Sequence, residues 1–313
     1  MLSNAIVLGP QRREPIVCEA LDDLVGDRKQ SVAVVTAGWE ERESETEELE
    51  EHVCRPTVNL DIWARVERIF REDTELLEAM RERQATWRRI QDLYRLRLEG
   101  LMDPTKELLQ RAEREDDELA AAAENDAWEL VRGLDQQHTS RVEELHQEFY
   151  QRVRPAERPA VVRERRAIEA QLQDVACLCI AGGHVSVLLH RLQLFDLMSL
   201  WGDRPVVAWS AGAMVLSQQV VLFHDAPPQG SSYAEVMEAG FGLLPGLVAL
   251  PHAKHRLQAE DSVRVRLLSR RFTPALCAML DYRTRIDWRG GKWLPHAGAM
   301  QLAEDGQVLE MAR

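Results

Sequence analysis

The 313-residue chain is 45% hydrophobic and 29% charged, which supplies a sizeable core for one large domain or two and excludes disorder as the main state. Its formal net charge of −13 argues against nucleic acid or an anionic membrane as a partner. No apolar run is long enough to span a bilayer.

The apolar stretch at the amino terminus is too short for a signal peptide and has no basic residue before it. The five cysteines, an odd number without paired spacing, suit a reducing, cytoplasmic setting. Ala5–Gly9 reads as a buried strand, Pro15–Leu24 as a helix and Ser31–Ala37 as a second buried strand. That βαβ pattern predicts a parallel sheet covered on both faces. The acidic run from Glu40 to Glu51 reads as a solvated helix face or loop.

From Val58 to Gln173 the periodicity is helical. A first apolar stripe passes through Ile62, Val66, Ile69, Leu76, Met80, Trp87, Ile90, Tyr94 and Leu101. It is expected to end at Gly100–Pro104, where Asp103 and Pro104 would open another helix as N-cap and first residue. A second stripe runs from Leu119 to Val153 and is closed by Pro155 and Pro159. Two helices of about 45 residues each run roughly 65 Å. The expectation is an antiparallel hairpin that projects from the α/β body or wraps against another copy, an arm for homo-oligomerisation or for docking a protein partner. Residues 1–57 and 171–313 would then form the body and 58–170 the insertion.

The α/β pattern resumes at Val175–Ala181, a strand running into Gly182-Gly183, followed by a helix over His184–Leu200. Cys177 and Cys179 alternate on that strand and read as buried thiols facing one side. Val206–Trp209 is a short buried strand that delivers Ser210 into small residues, with Ala208 two before it and Gly212 two after. A sharp strand-to-helix turn of this kind is a nucleophile elbow, and the first amides of the next helix favour an anion beside the serine. Further strands are expected at Val220–Asp225 and Leu247–Leu250, and a hairpin turn at Trp288–Trp293. The expected fold class is α/β, an open, mostly parallel sheet with helices on both faces.

A nucleophilic serine needs a base, and the base needs an orienting carboxylate. Ser210, Asp225 and His252 occur in that order, each at or just after the end of an expected strand, where an open parallel sheet gathers its site. His255 and His224 are rival bases and Asp281 a rival orienter. A different reading takes His252 and His255 with His224 or Asp225 as a metal site, but no clear third ligand stands out. No metal or cofactor is expected.

The strings Ile180-Ala-Gly-Gly183, Ala208-Trp-Ser-Ala-Gly-Ala213, Gly240-Phe-Gly-Leu-Leu-Pro-Gly246 and Pro251-His252 resemble the dipeptidase E and cyanophycinase family of serine peptidases. The resemblance covers the body and leaves out the helical segment. It implies the class I glutamine-amidotransferase-like fold and hydrolysis of aspartyl or β-aspartyl peptide bonds through an acyl-enzyme. It makes Ser210 the nucleophile, His252 the general base and then acid, and Asp225 the orienter. The amides of Gly183 and Ala211 would form the oxyanion hole, with His184 and Arg256 beside the substrate. The sequence departs from the family where His184 replaces a polar amide, where Ala208 replaces a glycine, and where no aromatic follows His252. Those departures, beside an elaborate insertion, carry the alternative: a catalytically relaxed member acting as an interaction protein. Glutamine amidotransfer on this fold uses a cysteine where Ser210 stands.

Overall fold

The computed structural model describes residues 2–115, 118–223 and 233–312. The chain opens with β1 (Asn4–Leu8), α1 (Val17–Val25), β2 (Val32–Val35), α2 (Glu47–Val53) and β3 (Thr57–Asn59). Four long or medium helices follow: α3 (Ile62–Glu72), α4 (Thr74–Glu115), α5 (Glu118–Val153) and α6 (Pro159–Leu172). The α/β alternation returns with β4 (Cys177–Ile180), α7 (Val185–Leu194), α8 (Leu197–Trp201), β5 (Val206–Trp209) and α9 (Ala211–Leu216). Then come β6 (Gln219–Leu222), β7 (Glu235–Ala239), β8 (Leu247–Pro251), α10 (Ala253–Arg256) and α11 (Ser262–Phe272). The chain closes with β9 (Leu276–Leu280), β10 (Arg285–Arg289), β11 (Lys292–Pro295), β12 (Met300–Leu302) and β13 (Val308–Glu310).

The main sheet has seven strands in the order β11-β10-β1-β5-β4-β2-β3. From β1 to β3 the neighbours are parallel, and β10 and β11 are added antiparallel at the other edge. The strand period of two divides each apolar run between two cores. Ala5, Val7, Ala33, Val35, Leu178, Ile180, Val206 and Ala208 face one core, shared with α3, α6, α7, α8 and α9. Ile6, Leu8, Val32, Val34, Cys177, Cys179, Val207 and Trp209 face the other, covered by α1 and α2. The fold is therefore mixed α/β with a mostly parallel central sheet, and the two cysteines of β4 share one side as their alternation predicts. The Trp288–Trp293 turn is a two-residue hairpin closed by Gly290 (φ 57°) and Gly291 (φ 81°), the left-handed pair such a turn requires. A second sheet, β13-β12-β9-β8, and the β6–β7 pair complete the body.

The helical segment corrects the sequence reading in two respects. Gly100–Pro104 does not end a helix: α4 continues through Pro104. Tyr94, Leu98, Met102, Thr105 and Leu109 are buried, while Gly100, Asp103 and Pro104 are exposed. The missing proline N–H therefore leaves its orphaned carbonyl on the water side, and the packed inner face keeps the helix going. Nor does the antiparallel hairpin of α4 and α5 project. Tyr94, Leu98, Met102, Leu109, Trp128, Val131 and Leu134 share a core with Val236, Val248, Leu250, Val265 and Leu268 of the body. The expected His184–Leu200 helix is also divided, into α7 and α8 at Asp196, which has φ 50°. Asp225 and His224 lie outside the described residues.

Candidate active site

Parallel strands end at one edge, so β2, β4 and β5 bring their following turns together. Register places Val35 beside Ile180 and Ile180 beside Ala208. Beyond the strands, the His184 amide donates to Gly38 O at 2.7 Å and the Ser210 amide to Leu8 O at 3.3 Å. Ser210 is half-buried with φ 52° and ψ −121°, a backbone that a non-glycine residue adopts only under strain from its surroundings. The packing explains how it is held. A Cβ on Gly212 would lie 2.2 Å from Ile180 O, so only glycine lets α9 close this tightly on the end of β4. Gly183, at φ +120° with Gly38 O 2.3 Å from where its Cβ would be, is bound to glycine for the same reason and leaves its backbone bare toward the cleft. Gly182 abuts the serine itself, since a Cβ there would sit 2.8 Å from Ser210 Cβ.

His184 is the N-cap of α7: its Nδ1 accepts from the Val187 amide at 3.3 Å. Imidazole thus does the capping that a short polar side chain usually does, which gives a physical reason for histidine after the Gly-Gly.

His252 follows β8 and caps α10 with φ 58°. Its amide donates to Leu280 O at 3.1 Å, and its ring meets Tyr282 edge to face at 6.1 Å between centroids. Because β8 and β9 are parallel with Pro251 opposite Leu280, the next residues, His252 and Asp281, fall side by side. Asp281 is buried, and its Oδ1 accepts from the Lys254 amide at 3.1 Å. Burial lowers the His252 pKa, helped by the charges of Arg256 and His255 and opposed by the Asp281 carboxylate. The imidazole is therefore held neutral, the form a base requires. Among the described residues no hydrogen bond joins Ser210 to His252.

Ser210, Ala211, Gly183, His184, His252 and Arg256 all line one cleft of about 1000 Å³. Arg256 is half-buried there, and burial holds its pKa below the usual guanidinium value. It has no carboxylate partner among the described residues. His255, the rival base, is exposed and does not line the cleft.

Sequence reasoning missed several lining residues. Arg42, Glu45 and Glu48 reach the cleft from the acidic run, and Trp39 and His52 from its two flanks, so this stretch is part of the wall as well as a solvated face. Gln84, Trp87 and Arg88 reach it from α4. Helical periodicity reveals an apolar stripe but not which polar positions turn toward a cleft of the body.

No protein-family model and no curated protein matches the chain. Among solved structures it is similar to a peptidase from an acI-B1 Actinobacterium, with TM-score 0.48 and 14% identity over 100% of this chain and 96% of that one. It is also similar to a "Putative Peptidase E Protein" from Listeria monocytogenes EGD-e, with TM-score 0.43 and 10% identity over 95% of this chain and 98% of that one.

Proposed function

We propose that the protein is a serine hydrolase that cleaves an aspartyl or β-aspartyl peptide bond through an acyl-enzyme on Ser210. The observation that carries this reading is the strained backbone of Ser210 at the end of β5, in the same cleft as the neutral-leaning His252 and the bare Gly183 turn. Ser210 Oγ attacks the carbonyl carbon while His252 takes its proton. The amides of Gly183 and Ala211 stabilise the oxyanion. His252 then returns the proton to the leaving amine, and water repeats the sequence to release the acid. The hydrogen bond between base and nucleophile forms once substrate fills the cleft. Either Asp225 or Asp281 orients His252, and Arg256 pairs with the substrate carboxylate. This reading carries with it the class I glutamine-amidotransferase-like fold and a body of 1–57 and 171–313 with 58–170 inserted.

The test is labelling with a fluorophosphonate, read by intact mass and peptide mapping. One adduct on Ser210, lost in Ser210→Ala and in His252→Ala, is expected; Ser210→Ala removes one hydroxyl and should unfold at the wild-type temperature while hydrolysing nothing. Equal labelling or turnover in Ser210→Ala would refute the assignment.

A second reading, an interaction protein docking through the hairpin, is favoured by one feature. Leu93 and Leu96 of α4 and Leu119 and Leu130 of α5 are 56%, 69%, 79% and 62% exposed, more apolar surface than a helix facing only water needs. Light scattering after gel filtration tests it: a monomer that captures no second copy speaks against homo-oligomerisation through these leucines.

A further inference from the structure

Away from the cleft just described, His146 of α5, His190 of α7 and Glu238 of β7 converge. His146 Nε2 is 2.7 Å from Glu238 Oε2, and His190 Nε2 is 2.7 Å from Glu238 Oε1. The two rings stand nearly edge to face, 5.6 Å apart at 75°, and the donor atoms of all three side chains lie within 4.8 Å of one another. Side-chain exposure is 13% for His146, 9% for His190 and 1% for Glu238. A carboxylate this buried needs a positive charge beside it, yet among the described residues no lysine or arginine pairs with Glu238.

We infer that His146, His190 and Glu238 bind a first-row divalent metal ion, zinc by the chemistry of the set. Two imidazole nitrogens and one carboxylate oxygen are the donors of a three-protein-ligand zinc site with an open fourth position. The fourth position faces a separate cleft of about 360 Å³ lined by His146, Gln147, Tyr150, Gln193 and Glu238. In that lining Gln193 Oε1 is buried without a hydrogen-bond partner, an acceptor available to a metal-bound water. Ligand atoms about 2.0–2.1 Å from a tetrahedral zinc sit roughly 3.3 Å apart, so each imidazole nitrogen needs to part by only about half an ångström from the carboxylate oxygen it now touches at 2.7 Å. The three ligands come from the insertion, from the helix capped by His184 and from the β6–β7 pair, so the ion would pin the hairpin to the body. The proposal does not depend on the hydrolase reading.

The test uses the full chain without an affinity tag. After purification without chelator, elemental analysis is expected to give about one zinc per chain, and the chelator-stripped protein is expected to regain it on titration. Cobalt in place of zinc should give the intense visible absorption of a four-coordinate site. His146→Gln keeps a hydrogen-bond donor for Glu238 and so protects the fold; it should weaken zinc binding by at least about a hundredfold. Wild-type protein that takes up no zinc, a cobalt spectrum like that of the hydrated ion, or undiminished zinc affinity in His146→Gln would each overturn the proposal.

Discussion

Asp135→Ala is expected to cost about 3–5 kcal/mol, the penalty for stranding a buried charge. Arg271 of α11 has a side chain 1% exposed and Asp135 of α5 one 6% exposed. The guanidinium reaches the carboxylate at 2.7 Å through Nε and at 2.6 Å through a terminal nitrogen, and donates to Tyr94 Oη at 2.6 Å and to Ala234 O at 2.5 Å. Tyr94 in turn donates to Asp135 at 2.8 Å and accepts the Val236 amide at 3.1 Å. Burial pulls the Arg271 pKa down, but Tyr94 and Asp135 outweigh it and raise the value; a guanidinium does not deprotonate in a protein, so Asp135→Ala leaves a buried cation without its carboxylate. At about 2.1 cal/mol/K of unfolding entropy per residue, a chain of 313 residues loses about 1.5 °C per kcal/mol, so the melting temperature should fall by roughly 5–8 °C. Urea unfolding gives the free energy directly. A double variant, Asp135→Leu with Arg271→Met, removes both charges and should recover most of the loss, as apolar replacement of a buried pair does. A single variant that loses less than about 1 kcal/mol, or a double variant that loses the sum of the two singles, would refute the claim that this network ties the hairpin into the body.

Gly212→Ala puts a methyl 2.2 Å from Ile180 O and 3.1 Å from Ala181 O, both backbone atoms. The start of α9 must then move by roughly an ångström, slowing fluorophosphonate labelling of Ser210 about a hundredfold at a cost of about 1–3 kcal/mol in stability; an unchanged labelling rate would refute the packing argument. The labelling rate should rise with pH as His252 loses its proton, and because burial and Arg256 depress that pKa, the half-maximal point should lie below the ordinary histidine value of about 6.5. Arg256→Gln removes a like charge, so the same point should move to higher pH; a shift to lower pH, or a wild-type midpoint above about 7, would contradict the electrostatics.

What the sequence made legible was local. Apolar runs of four or five residues ending in Gly-Gly or Ser-Ala-Gly specify a buried parallel strand and its turn without outside help, and the strained backbone of Ser210 lies where those small residues stand. The length of α4 was not legible, because whether Pro104 breaks a helix depends on which side meets water, and the body decides that. The break between α7 and α8 was likewise hidden, since Asp196 adopts a left-handed backbone inside a stretch whose apolar spacing is continuous. His146, His190 and Glu238 have no shared spacing at all. They meet because α5, α7 and the second strand of the β6–β7 pair come together at one point.

The two readings of the helical segment place different demands on α4, and the helix meets both. A wall for the cleft needs polar and aromatic side chains turned inward, which Gln84, Trp87 and Arg88 supply. A docking arm needs an apolar face turned outward, which Leu93 and Leu96 supply, roughly 7–12 Å further along the axis from Arg88. Between these stretches and within the second the helix is fixed to its neighbours, by Gln91 to Glu235 at 3.2 Å and by Tyr94 through Arg271. Trp87 also sets its ring edge to face against His190 at 6.1 Å, so the wall of the cleft rests on one of the three converging side chains. A partner over the outer leucines would therefore sit on an element that is already part of the cleft, held in place by two sets of buried polar contacts. Enzyme and interaction protein are then not exclusive readings of this helix. Ser210→Ala separates them, because it removes the chemistry and leaves the leucine face, and any association lost in that variant cannot depend on the leucines alone.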